Sequence, residues 1–128
     1  MEEQPHGGAL RRQSAEGAPE ILKVRFKLAD MGTKLHAARL VARDAAERKA
    51  RGERADLVAG MAKLFCSETC WEITQEALRI HGGNGYAAEY PIEQLYRDAP
   101  LMIVGEGTNE IQKMVIGRRL LEDHAIER

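Results

Sequence analysis

From Val24 onward, apolar side chains return at alternating steps of four and three: Val24, Leu28, Met31, Leu35, Ala38, Ala42 and Ala45. That spacing is the stripe of an amphipathic helix. Lys27, Lys34, Arg39, Arg43, Glu47 and Arg48 mostly take the other faces. Pro19 suits a first turn and Gly52 a stop. The pattern therefore predicts a helix from about Glu20 to Arg51, roughly 45 Å long at 1.5 Å per residue. Ala37, Ala38, Ala42, Ala45 and Ala46 would let a neighbour approach closely. A second helix is expected from about Asp56 to His81. Leu57, Met61, Leu64, Phe65, Ile73, Ala77 and Ile80 form its apolar side, with Trp71 at the edge. Gly82-Gly83-Asn84-Gly85 ends it. The polar turn Gly52-Glu53-Arg54 joins the two as an antiparallel hairpin.

Residues 82–91 read as a loop that closes at Tyr90-Pro91. Pro91 opens a short helix, Ile92 to Asp98, and Ala99-Pro100 breaks it. The apolar run Leu101-Met102-Ile103-Val104 then leads into Gly105. Thr108 is a good N-cap for a last helix, Asn109 to Asp123, with Ile111, Met114, Val115 and Leu121 inward. Residues 1–18 are rich in Gly, Gln, Glu and Arg without periodicity, and are expected to be an irregular or disordered lead-in to a folded unit at 19–128. No repeat and no strand-rich stretch appears. The expectation is an all-α fold, an antiparallel helical bundle that need not be complete.

Composition narrows the function classes. The chain has 128 residues, the size of one domain, with Lys+Arg 19 against Asp+Glu 20. That balance argues against nucleic-acid and membrane-surface roles, which need a basic excess. Aromatics at 5% also disfavour a base-stacking platform. No apolar run approaches a membrane span, and Met1-Glu2-Glu3-Gln4-Pro5-His6 lacks the marks of a secretory signal. Cys66 and Cys70 share a helix face and form no framework of bridges, which suits a reducing compartment such as a bacterial cytoplasm or a mitochondrial matrix. Together with His81 they lack a fourth metal ligand at a familiar spacing. Buried thiols used as small core residues are commoner, so no metal is expected.

The chemistry concentrates in Gly105-Glu106-Gly107-Thr108-Asn109-Glu110-Ile111-Gln112. Glu106 lies between two glycines at the mouth of a helix, beside apolar residues. Glycines permit close approach of a ligand, and the helix start offers unpaired N–H groups. A desolvated carboxylate there is a candidate general base. An ordinary loop whose Glu offsets the helix dipole is the plain alternative. Gly82-Gly83-Asn84-Gly85 could cradle a phosphate, or simply stop a helix; it follows a helix rather than preceding one, which excludes a Rossmann or P-loop reading. Arg97-Asp98 reads as structural, and His36 and His124 as solvated.

Several of these stretches coincide with one family. Ala77-Leu78-Arg79-Ile80-His81-Gly82-Gly83-Asn84-Gly85-Tyr86, then Glu89-Tyr90-Pro91-Ile92-Glu93 and Leu95-Tyr96-Arg97-Asp98-Ala99, resemble the acyl-CoA dehydrogenase family, as does Glu106-Gly107-Thr108-Asn109-Glu110-Ile111-Gln112. Phe26-Lys27-Leu28-Ala29-Asp30-Met31 and Met61-Ala62-Lys63-Leu64-Phe65 look like its helical hairpin. The match covers about residues 20 to 123. The resemblance implies the carboxyl-terminal helical-bundle domain of a flavoprotein that oxidises acyl-CoA thioesters to trans-2-enoyl-CoA. It implies Glu106 as the base that removes the α-proton, with the backbone N–H of Glu106 helping to polarise the thioester carbonyl and Gly105 and Gly107 beside the substrate. It implies FAD as cofactor, with Thr108 and Glu110 near its adenosine portion, a sensible home for a pyrophosphate-bearing group, and Arg79, Gly82 and Gly83 meeting the FAD of a neighbouring subunit. A homo-oligomer, dimer or tetramer, follows, with an electron-transfer flavoprotein as a possible redox partner.

The departures are specific. Arg79 stands where the family often has Gln, and meets phosphate at least as well. Gly105 stands where it often has Tyr, which removes an aromatic wall of the acyl pocket. Over residues 1–18 the resemblance is not expected to hold: Arg12-Gln13-Ser14-Ala15-Glu16-Gly17 lacks the Phe of the family's Arg-x-x-Phe-Gly segment. The family's amino-terminal helical domain, its central β-domain and the first helix of its bundle have no counterpart here. The alternative function is a non-catalytic helical assembly module, or a truncated relic of such an enzyme.

Overall fold

The computed structural model describes residues 7–125, with side chains from Glu20 onward. Four α-helices follow one another among these residues: α1 (Gly7–Ala50), α2 (Asp56–His81), α3 (Pro91–Val104) and α4 (Asn109–Asp123), with a 3-10 turn at Gly82–Tyr86 after α2. The start of α1 corrects the expected lead-in. Residues 7–18 are helical, and Pro19 falls within the helix rather than opening it. Leu10, Arg11, Arg12, Gln13, Ala15, Glu16 and Ala18 are all good or acceptable helix formers, which outweighs the glycines among them. Residues 1–6 of that expected lead-in lie outside the described residues.

Local signals set most of the other boundaries. Gly52, at φ +76°, ends α1 with two bonds: its N–H donates to Lys49 O at 3.0 Å, and Glu53 N–H donates to Arg48 O at 3.1 Å. This double closure satisfies carbonyls that the helix leaves unpaired, and it needs a left-handed residue at Gly52. Tyr90 is extended because proline follows it, and Pro91 opens α3 as expected. Pro100 is different. It does not break the chain but lies inside α3, which runs on to Val104. Proline costs a helix interior about 3 kcal/mol. The flanking packing offsets this: Ala99 is buried and Ile103 half-buried against α2.

The hub is α2, on which α1, α3 and α4 each pack without comparable packing on one another. A helix contacted from several sides cannot confine its buried residues to one stripe. Its buried positions are accordingly small or hydroxylated: Gly60, Ala62, Ser67, Thr69 and Thr74. Gly60 faces α4, where an added Cβ would stand 3.3 Å from Ile116 Cγ1. Toward α3, Trp71 lies over Tyr96 with ring centroids 5.0 Å apart. Toward α1, Ala38 and Ala45 are buried, and Lys27–Glu76 and Lys34–Glu72 pair across the seam.

The outward faces correct part of the expected core. Val24, Leu28 and Leu35 of α1, Phe65 of α2, and Ile111, Met114 and Leu121 of α4 are exposed rather than inward. Their periodicity is helical, but periodicity marks a face that avoids water without saying what covers it. Met114 is 70% exposed and Leu121 76%. No helix of the described residues is long and apolar enough to cross a membrane.

Candidate functional site

Where α3 gives way to α4, the chain makes a short connection through Gly105, Glu106, Gly107 and Thr108. Glu106 has φ +53° and Gly107 has φ +83°. Glutamate in this left-handed region is strained by about 1–2 kcal/mol relative to its ordinary conformation. Glycine at Gly107 avoids the same cost, and a Cβ there would also press on Gln112 Nε2 at 3.0 Å. Gly105 is extended, and a side chain on it would start 2.8 Å from Leu101 O. The aromatic wall that the family often has here would therefore need a shifted backbone.

Thr108 caps α4 as its sequence signal predicted, accepting a hydrogen bond from Ile111 N–H at 3.4 Å. Glu110 follows at the exposed first turn. Its own backbone N–H and then the Thr108 hydroxyl hold its carboxyl below the usual carboxylate range. The positive end of α4 thus already carries an anion of its own. That arrangement suits a ligand's hydrogen-bond donors better than a second anion such as a pyrophosphate.

Behind the connection lies a polar node that the sequence reading missed. Asn109 is only 1% exposed and is the one large side chain fully buried among the described residues. Its Nδ2 donates to Ser67 Oγ at 2.9 Å and to Glu68 Oε1 at 2.7 Å. Lys63 Nζ donates to Asn109 Oδ1 at 2.7 Å and to Ile103 O at 2.9 Å. The only sequence signal was the polar set Lys63, Ser67 and Glu68 at helical spacing beside the apolar side of α2.

In front of the connection is a groove of about 580 Å³ lined by Lys63, Cys66, Ser67, Cys70, Leu101, Met102, Gly105 and Glu106. It is mostly apolar, with a carboxylate at its lip. Cys66 donates its thiol to Ala38 O at 3.3 Å, and burial pushes that thiol up from its ordinary pKa. Both cysteines are unbridged. The expected apolar enclosure of Glu106 is not built by these helices: its side chain is exposed, because α3 supplies only Leu101 and Met102 beside it.

The other residues singled out for a cofactor stand elsewhere. Arg79 ends α2, about 18 Å beyond Ser67 by helical rise. It is 65% exposed, with one contact to Glu76 at 2.6 Å. Gly82, at φ +59°, and Gly83 leave open space where a Cβ would project. An exposed guanidinium beside bare backbone fits an anionic group brought from outside. The loop behind it is firm: Gly85 is buried, with Leu78 O only 2.7 Å from where its Cβ would be, and His81 meets Tyr90 edge-on. Thr108 and Glu110 therefore share the neighbourhood of Glu106, whereas Arg79, Gly82 and Gly83 form a separate exposed end. Arg97 pairs with Glu93 one turn back, the structural role expected of it. His36 and His124 are exposed.

Comparison with known proteins gives the same picture from another direction. Residues 10–121 match the family described as acyl-CoA dehydrogenase, C-terminal domain. The match begins well before residue 20, so the expected failure over residues 1–18 holds at most for the first nine. The 3-(aryl)acrylate reductase of Clostridium sporogenes is 46% identical over 112 residues, covering 88% of this chain and 30% of the relative. Butyryl-CoA dehydrogenase from Megasphaera elsdenii superposes with a TM-score of 0.75 at 37% identity, over 94% of this chain and 29% of that one. PigA in its FAD complex gives a TM-score of 0.75 at 26% identity, over 92% and 29%. The chain thus spans about 30% of the length of the curated relative it matches.

Proposed function

Because the chain belongs to the acyl-CoA dehydrogenase family, as its carboxyl-terminal domain, we propose that it supplies the base-bearing helical part of an FAD-dependent acyl-CoA dehydrogenase. The observation that carries this reading is the left-handed Glu106 at the lip of an apolar groove, inside the matched residues. A strained residue in a sparsely used conformation is retained where the surroundings over-determine it, as at working sites.

In this reading an acyl chain lies along Leu101, Met102, Cys66 and Cys70, and Glu106 takes the α-proton of the thioester. The backbone N–H of Glu106 points at the thioester carbonyl and stabilises the negative charge that develops there. Gly105 and Gly107 keep bulk away from the reacting carbons. Further protein covers the groove and excludes water, which strengthens the electrostatic contacts made inside it. FAD, when bound, supplies the acceptor for the β-hydride, which completes conversion to the trans-2-enoyl-CoA. Thr108 and Glu110 would receive hydrogen-bond donors of its adenosine portion, and Arg79 with Gly82 and Gly83 would meet the anionic part of another subunit's FAD. Oligomerisation is supported by the exposed apolar faces of α1 and α4. An electron-transfer flavoprotein is a fitting acceptor for the reduced enzyme. Two unbridged thiols favour a reducing compartment, bacterial cytoplasm or mitochondrial matrix.

Glu106→Gln in a complete enzyme carrying this domain is the direct test. Exchange of the substrate α-proton should be abolished while FAD stays bound; unchanged exchange would remove the assignment. A second reading, a helical module kept only for assembly, is favoured by the extent of exposed apolar surface. Native mass spectrometry of the chain with added FAD separates the two. An oligomer that carries FAD supports the enzymatic reading, and a flavin-free oligomer the assembly reading.

A further inference from the structure

We infer that Lys63 and Asn109 are positioning residues for Glu106: together they clamp both ends of its connection to the face of α2. The inference rests on the reading of Glu106 as the base. Lys63 Nζ reaches Ile103 O in the last turn of α3 and Asn109 Oδ1 in the first turn of α4. Carbonyls in a last helical turn have no donor in their own helix, so this ammonium fills a real vacancy. Only Val104, Gly105, Glu106, Gly107 and Thr108 lie between the two anchored residues. One side chain therefore fixes the separation of the ends across which Glu106 must adopt φ +53°.

Asn109 locks the second end. Its amide nitrogen is engaged by Ser67 and Glu68, which orients Oδ1 toward Lys63. An amide is suited to this place because it accepts from the ammonium and donates to the carboxylate at once. The Lys63 and Glu68 charges are thereby joined through a neutral group, and neither is left unpartnered near the buried amide. Gln112 adds a longer contact from within α4, donating to Glu106 O at 3.4 Å. The base is thus placed by Lys63, Ser67 and Glu68 of α2 together with Asn109 of α4, none of which carries a role in the chemistry itself. Lys63 and Ser67 also line the groove, so the clamp is built into the same wall that carries Glu106.

Amide hydrogen exchange of the whole chain, read by NMR, tests this. Lys63→Met removes both bonds while keeping the apolar stem. Exchange should rise about tenfold, the scale set by one buried hydrogen-bonded group, at the two bonded amides that flank Glu106: Gly105, which donates to Leu101 O at 2.7 Å, and Gln112, which donates to Thr108 O at 3.0 Å. Amides of the α1–α2 hairpin should not change. Ala45→Gly, remote from the site, serves as the control, each variant being measured at the same interval below its own melting temperature, and should leave the connection slow. Lys63→Arg restores a donor to both acceptors and should restore slow exchange, which a purely packing role would not. Asn109→Ser, which shortens the second anchor, should loosen the same two amides. Unchanged exchange in Lys63→Met, or equal loosening in the Ala45→Gly control, would overturn the inference. So would global unfolding of both Lys63→Met and Asn109→Ser with the control still folded. None of these outcomes depends on turnover, so a failed clamp and a failed assignment of Glu106 are told apart.

Discussion

Arg119, near the end of α4, lies 3.1 Å from Asp56 in the first turn of α2. Its side chain is only 10% exposed, and it also meets Glu122 at 2.6 Å and Asp123 at 3.3 Å. One guanidinium thus pins the end of α4 to the start of α2, while the node at Asn109 pins the other end. Its Nε stands near Asp56 without aiming a hydrogen bond at it. Removing this cation takes away the one group that Glu122, Asp123 and Asp56 share, and leaves Arg54 alone on Asp56. Arg119→Ala should therefore lower the melting temperature clearly, whereas Arg97→Ala, which loses only an exposed 3.7 Å pair, should leave it nearly unchanged. Thermal melts of the two variants side by side check this; equal shifts would mean that the Arg119 cluster is not formed in solution.

Gly60 marks the close approach of α4 to α2. A Cβ there would stand 3.2 Å from Gln112 Oε1 and 3.3 Å from Ile116 Cγ1. Both neighbours are side chains that can give by a few tenths of an ångström. Alanine also gains about 0.8–1.0 kcal/mol of helix propensity over glycine. The two effects oppose each other, so Gly60→Ala should stay within about 1 kcal/mol of the parent. Gly60→Val adds two methyl groups that cannot be accommodated this way and should cost about 1–3 kcal/mol. Urea denaturation of both variants measures the difference. A well-tolerated valine would show that α4 does not rest on the α2 backbone.

What the sequence made legible was local. Gly52, Pro91 and Thr108 act on their own backbone or on residues within a turn, and each ends or begins a helix where the residue type predicts. Pro100 misled for the same reason: its local penalty is real, but packing of Ala99 and Ile103 on α2 outweighs it. The stripe through Val24, Leu28 and Leu35 was correctly helical yet placed in the core, because these helices leave that face uncovered. Glu106 could be singled out from its two glycines and the helix start. Lys63 and Asn109 could not, since their contact joins residues far apart in the sequence and no periodicity encodes it.

Glu76 couples the hairpin to acid. The Lys27 ammonium holds its carboxyl below the usual carboxylate range, against the opposing effect of burial, and the Arg79 guanidinium adds to it. A folded-state value below the unfolded one means that the pair stabilises fully above about pH 4.3, the unfolded value. The contribution then drains away as pH falls further through the folded value. The parent should therefore lose stability more steeply than Glu76→Gln below about pH 4.3. Denaturant melts across that range, in low salt, compare the two. Parallel curves would mean that Glu76 is free of Lys27 and Arg79 in solution.

Glu106 itself separates strain from chemistry. Both Glu106→Ala and Glu106→Gly remove the carboxylate, and both should abolish α-proton exchange in a complete enzyme. They differ in backbone cost. Alanine keeps the Cβ that makes φ +53° unfavourable, while glycine adopts this region freely. Glycine gives back part of the advantage through the greater freedom of its unfolded chain. Glu106→Gly should therefore be more stable than Glu106→Ala by up to about 1 kcal/mol. Equal stabilities would mean that the connection relaxes out of the left-handed conformation, and the clamp by Lys63 and Asn109 would have nothing to hold. A more stable glycine variant without proton exchange would show that the chain bears a standing conformational cost at the residue that presents the base.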